Sequence, residues 1–114
     1  KNKRNEFKIE IPKNVITIQP VGYFSMIALL HFSSMVVTDS GGLQKEAYFS
    51  HKPCITLREQ TEWKETVKCG WNEIVGTSKQ KILEALSRER IELNQGPLYG
   101  PGNTSDLMTF GLLL

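Results

Sequence analysis

The chain has 114 residues, of which 39% are hydrophobic and 23% charged. That is enough for one domain with a real core, and it excludes a disordered chain. A formal net charge of +2 is too small to mark a nucleic-acid surface, and the basic start Lys1-Asn2-Lys3-Arg4 reads as a solvated end. No apolar run has the length of a bilayer span, so no membrane partner is expected. Cys54 and Cys69 lack CxxC spacing, and His31 and His51 stand apart from them and from each other. The sequence therefore predicts no metal site and calls for no cofactor. So few cysteines suit reduced thiols and a cytoplasmic setting.

In chain order, Val15-Ile16-Thr17-Ile18 is a short β-branched run that reads as a strand, ended by Gln19-Pro20. Tyr23, Met26, Ile27 and Leu30 recur at helical spacing, which predicts a helix from about Tyr23 to Phe32. Met35-Val36-Val37 reads as a second strand and Leu43 to about Phe49 as a second helix. Pro53-Cys54-Ile55-Thr56-Leu57 is a third apolar run, with Cys54 a core residue. Thr61 is placed to cap a helix with Glu62 in its first turn and Gly70 as its stop. Asn72 to Gly76 makes a fourth, weaker strand. Thr77 followed by Gln80 has capping-box spacing, with Ile82, Leu83 and Leu86 as the apolar face behind it. Gly96 to Gly102 is a loop, since its glycines and prolines exclude regular structure.

Four βα units in succession predict an α/β fold: a Rossmann-like parallel sheet, flanked by helices and joined by right-handed crossovers. Ligands of such sheets bind outside the carboxyl ends of the strands. That rule sets Gln19-Pro20, Asp39-Ser40-Gly41-Gly42, Arg58 to Glu62 and Gly76-Thr77 along one rim.

Within the rim, "VVTDSGGLQKEA" (36–47) carries most of the chemical information. A helix start exposes backbone N–H groups without internal partners, and glycines let an anion approach them closely. Ser40 can add a hydroxyl donor. Glu46 lies four residues after Gly42, and helical side chains lean toward the N-terminus, so its carboxylate can reach a diol beside a phosphate. The competing reading is a tight turn and nothing more, with Glu46 paired to a lysine. Neither G-x-G-x-x-G nor G-x-x-x-x-G-K-[ST] is present, and no elbow motif supports Ser40 as a nucleophile.

Several segments in order, "TDSGGLQKEA", "KPCITLREQTEWKE", "GWNEIVGT" and "YGPGNTSD", resemble the C-terminal part of the non-hydrolysing UDP-N-acetylglucosamine 2-epimerases. The resemblance runs from about Ile11 to about Asp106 and implies part of the C-terminal domain of a GT-B architecture. It implies that residues 1–114 are a single partial domain, with 107–114 a tail that departs from the family pattern. It further implies UDP or a UDP-N-acetylhexosamine as ligand, with Ser40, Gly41 and Gly42 on the diphosphate and Glu46 on the ribose. Tyr23, Met26, Arg58, Thr61 and Glu62 become candidate cleft-lining residues, Met26 falling where some relatives place an aromatic beside the uracil.

The reaction implied for a parent enzyme, expected as a homodimer, is inversion at C2 of the sugar by UDP elimination and re-addition. The family's proton-transfer carboxylates belong to the N-terminal domain, so no catalytic residue is expected here, and the chain alone is expected to be an inactive fragment. Where many relatives read Thr-Glu-Arg-Pro-Glu, this chain has Thr61-Glu62-Trp63-Lys64-Glu65, so the arginine is lost. A tryptophan there resembles relatives that act on modified sugars. Two other functions fit the same elements: a GT-B glycosyltransferase domain that binds a nucleotide sugar, and a non-catalytic α/β module that binds a protein partner through an open sheet edge. Tyr99 is expected to staple its loop rather than to reach the cleft.

Overall fold

The structure is a computed structural model, and it describes residues 7, 9–89, 96 and 98–113. The basic start at 1–4, Pro97 and Leu114 lie outside them. Helix α1, Tyr23–Phe32, is followed by strand β1, Val36–Thr38, then α2, Gly41–Phe49, and β2, Cys54–Thr56. Next come α3, Lys64–Lys68, β3, Asn72–Ile74, α4, Lys79–Ser87, and α5, Thr104–Leu113. The strands form one parallel sheet in the order β1-β2-β3, with Val36 opposite Cys54 and Cys54 opposite Asn72. Parallel neighbours need crossovers, and α2 and α3 supply them.

Successive residues of the central strand serve opposite faces, as the period of two requires. Cys54 joins Leu30, Val36 and Ala47 in one buried cluster, with Ile27 and Leu43 packed against it. Ile55 joins Val75 and Ala85 in a second, flanked by Met35, Leu57 and Ile82. All of β2 is buried, so its apolar run is explained by helices on both sides. Cys54 is a core residue, as expected.

The sequence reading of the sheet needs one correction. Val15–Ile18 forms no strand, and among the described residues the sheet has three strands rather than four. A β-branched run is stable as a strand only with a neighbour to share its ladder, and this one has none there; Ile16 is 88% exposed. Three helix starts also move, the first being α2, which begins at Gly41 rather than Leu43. Helix α3 begins at Lys64, with Trp63 rather than Thr61 in the cap position, while the Thr61 hydroxyl donates to Gln44 and accepts from the Trp63 N–H just ahead of the helix. Ser78, not Thr77, caps α4 by accepting from the Lys81 N–H. On α4 the inward face is Ile82 and Ala85, while Leu83 and Leu86 are exposed. Gly70 ends α3 at φ +83°, a left-handed conformation that favours glycine.

Candidate functional site: the rim around the Ser-Gly-Gly turn

The carboxyl ends of β1, β2 and β3 open onto the predicted rim. Strand β1 passes directly into α2, with Ser40 as N-cap. The Ser40 N–H donates to Thr38 Oγ1 at 3.0 Å, and its hydroxyl accepts from the Leu43 N–H at 3.4 Å. Gly41 and Gly42 occupy the first turn, where a helix has N–H groups to spare and its dipole is positive. Glu46 stands one turn further along, half-buried.

The two glycines differ. A Cβ on Gly41 would meet the carboxylate of Glu62, the far end of an exposed side chain that can swing aside. A Cβ on Gly42 would meet nothing nearer than Ser40 Oγ at 4.0 Å, and Gly42 is exposed. Its φ is not among the positive ones. Glycine in a helix interior costs about 0.8–1 kcal/mol relative to alanine; the cost is smaller in this first turn, and no positive φ or close contact calls for glycine at Gly42. The open face is suited to a group from outside the chain.

The loop after β2 wraps this turn. Arg58 Nη1 meets Glu62 Oε2 at 3.2 Å, with both side chains partly exposed, an ion pair that contributes little to stability. Arg58 and Glu62 thus sit beside Gly41 at the rim. Thr61 does not line an open surface: it is buried, and its hydroxyl donates to Gln44 Oε1 at 2.6 Å. Below it lies a polar network inside the core. Asn72 Nδ2 donates to Gln44 Oε1 at 2.9 Å and to Thr66 Oγ1 at 3.3 Å, while Asn72 Oδ1 accepts from Thr56 Oγ1 at 2.6 Å. Buried polar groups are stabilising only when satisfied in this way, and a satisfied network fixes one packing. Gln44 Nε2 is buried without a partner among the described residues.

Trp63 closes the arrangement. Its indole N–H donates to the Gly41 carbonyl at 2.7 Å. The Lys45 ammonium stands 4.7 Å from the Trp63 ring and 4.7 Å from the Tyr99 ring, within cation–π range of both. Tyr99 meets Tyr48, Phe49 and Trp63, and the Tyr48 hydroxyl donates to the Gly96 carbonyl. Tyr99 therefore staples its loop, as expected. Burial first, and the neighbouring Glu65 carboxylate second, push the Tyr99 hydroxyl above the ordinary phenol range. Glu65 moves the other way: its own backbone N–H, then the Tyr99 hydroxyl, then Lys45 and Lys68 favour its charged form.

Tyr23 and Met26 lie at the start of α1. Its far end leads through Ser33-Ser34-Met35 into β1, so the topology sets the start of α1 toward the rim. Tyr23 is exposed and Met26 half-buried. The direct neighbours of the turn come instead from Arg58, Glu62 and Trp63. The sequence reading noted Trp63 only as the place of a lost arginine, and it gave Lys45, Gln44 and Asn72 no part in this site. Glutamine and asparagine at inward positions of α2 and β3 were the available signal for the network.

The family model described as UDP-N-acetylglucosamine 2-epimerase matches residues 2–110. The chain belongs to this epimerase family. It is 47% identical over 100 residues to UDP-2,3-diacetamido-2,3-dideoxy-D-glucuronate 2-epimerase of Pseudomonas aeruginosa, covering 86% of this chain and 28% of that protein. It is 48% identical over 99 residues to the UDP-N-acetylglucosamine 2-epimerase homolog of Methanococcus maripaludis, with the same coverage of 86% and 28%. The crystal structure of UDP-GlcNAc 2-epimerase from Methanocaldococcus jannaschii in complex with UDP-GlcNAc and UDP superposes with a TM-score of 0.83 at 34% identity, over 97% of this chain and 32% of that one. The chain thus spans about a third or less of the epimerases it matches. The fold is the Rossmann-like one expected of the C-terminal nucleotide-binding domain. Among the described residues no helix is long and apolar enough to cross a membrane, and no group of His, Cys, Asp and Glu forms a metal cluster.

Proposed function

We propose that this chain is the UDP-binding portion of an epimerase that interconverts UDP-N-acetylglucosamine and its C2 epimer by elimination and re-addition of UDP. Ser40, Gly41 and Gly42 hold the diphosphate, and Glu46 accepts from the ribose hydroxyls. Arg58 and Glu62 line the cleft beside them, with Tyr23 and Met26 on the base side. The carboxylates that move the C2 proton come from another domain of the longer protein, so the chain alone does not turn over. The parent is cytoplasmic and homodimeric in this reading.

The observation that carries the proposal is Gly42. It is a glycine in an exposed helical turn, with open space where a Cβ would stand and no positive φ to require it. A phosphate oxygen approaching two first-turn N–H groups needs that space. Departure of UDP also needs charge stabilisation at the diphosphate, which N–H groups and a helix dipole supply without rearrangement.

A UDP titration of this chain, followed by two-dimensional amide NMR with UMP and NADH as controls, tests the seat. Shifts centred on Ser40, Gly41, Gly42 and Glu46, larger for UDP than for UMP, are expected, with a Kd of roughly 0.1–10 mM. A folded spectrum that UDP leaves unmoved would overturn the assignment. In a longer protein carrying this chain, epimerisation without any sugar acceptor separates an epimerase from a glycosyltransferase.

A further inference from the structure

We infer that Trp63 is a positioning residue for the diphosphate seat, acting through the peptide unit between Gly41 and Gly42. The inference rests on the reading of the turn given above. It assigns no ligand contact to Trp63.

Two adjacent glycines have the greatest backbone freedom of any dipeptide, and ordering them costs more entropy than ordering other residues. A seat built from their N–H groups is therefore weak unless something else in the fold fixes them. Ser40 caps the turn from one side through a long bond of 3.4 Å. The shorter restraint comes from Trp63, whose indole N–H donates to the Gly41 carbonyl at 2.7 Å. That carbonyl belongs to the same planar, trans peptide unit as the Gly42 N–H, and the two point in opposite directions. Holding the carbonyl toward Trp63 therefore fixes the direction of the Gly42 N–H, which as a first-turn group has no partner within the helix.

Trp63 is itself held on several sides. Its backbone N–H donates to Thr61 Oγ1 at 3.1 Å, and its carbonyl accepts from Thr66 Oγ1 at 2.7 Å. Its ring lies against Lys45 on one side and meets the Tyr99 ring edge-on at 6.1 Å and 87°. Through Thr61 and Thr66 it is joined to the buried Gln44–Asn72 network. The turn's orientation is thereby tied to the sheet core and to the loop around Tyr99. A side chain with a single N–H donor suits the task, whereas a phenylalanine is smaller and leaves the carbonyl only its helical bond from the Lys45 N–H.

The test compares three forms of this chain: native, Trp63→Phe, and one with 3-benzothienylalanine at position 63. The last keeps the shape of indole and replaces its N–H by sulfur. Amide NMR of the free chain and the UDP titration are the two readouts. Both altered forms are expected to raise the UDP Kd about threefold to tenfold, the range of one net hydrogen bond. They are also expected to shift and broaden the Gly41 and Gly42 amides while leaving those of β2 and β3 in place. A purely structural role for Trp63 would move the strand amides as well. Native affinity and native glycine amides in the benzothienylalanine form would overturn the inference while leaving the UDP reading intact. Failure of the native chain to respond to UDP would overturn that reading, and this inference with it.

Discussion

Val15–Ile18 and Cys54–Thr56 are alike in sequence character, and the structure treats them in opposite ways. Cys54–Thr56 lies between two parallel neighbours and is buried throughout. Val15–Ile18 has no strand beside it among the described residues and stays in water. The same contrast holds for the helices around them. On the sheet side, Ile27 and Leu30 of α1 reach the core. On its other side Leu29 and Phe32 line an open groove with Ile18, Val21, Ser25 and Ala28. β-propensity is the capacity to fit a pleated, half-covered surface, and it has no effect where no such surface is offered.

The contrast is broken most severely at its buried end. Ile55→Ala is expected to lower unfolding free energy by about 2–5 kcal/mol, because both a large side chain and its surroundings are emptied; urea denaturation measures it. Asn72→Ala follows, at roughly 1–3 kcal/mol, since it leaves the Thr56 hydroxyl only its weak contact with the Cys54 thiol and removes a donor from Gln44. A loss below half a kcal/mol would mean that water replaces the amide and that the network fixes nothing.

A pH effect comes next in size. The Tyr99 hydroxyl holds its proton more tightly in the folded chain than in the unfolded one. The folded state therefore binds more protons above the ordinary phenol range, and stability falls as pH rises through it. The contribution is complete below a pH of about 10 and is lost above it. Tyr99→Phe should lack that alkaline loss, measured by urea midpoints on either side of the range. At the exposed end, Ile16→Ser should leave stability unchanged within about 0.5 kcal/mol. A drop above 1 kcal/mol would erase the contrast, by placing Ile16 in a packed site.

A further comparison lies within the site itself. Gly42→Ala is expected to hold or slightly raise the melting temperature, since it gains helix propensity in open space. It should nevertheless weaken UDP binding. Loss of stability without loss of binding would assign Gly42 to the fold.

Local patterns carried the sequence reading well where structure is local. The apolar spacing of Tyr23, Met26, Ile27 and Leu30 located α1 from Tyr23 to Phe32, as observed. The Ser40 turn and the left-handed Gly70 were equally legible, because caps and turns are written in adjacent residues. What escaped was set by partners far along the chain. Thr61 accepts from the Trp63 N–H ahead of α3, yet its hydroxyl also donates to Gln44, 17 positions away, which the local pattern does not show. Trp63 reaches Gly41 across 22 positions, and Tyr48 reaches Gly96 across 48. No periodicity announces such pairs, since they exist only once the sheet has brought the helices together. The missing strand at Val15–Ile18 fails for the same reason in reverse, a local pattern without its distant partner.

The order of the strands has a consequence for how the molecule is made. Because β1, β2 and β3 are neighbours in space in the order in which they occur in the chain, each strand pairing closes only one crossover. Sequence-adjacent pairing keeps the contact order of the sheet low, which favours fast folding. The contacts of Tyr99 with Tyr48, Phe49 and Trp63 join residues far apart in the chain, and they close the longest loops in this part of the fold.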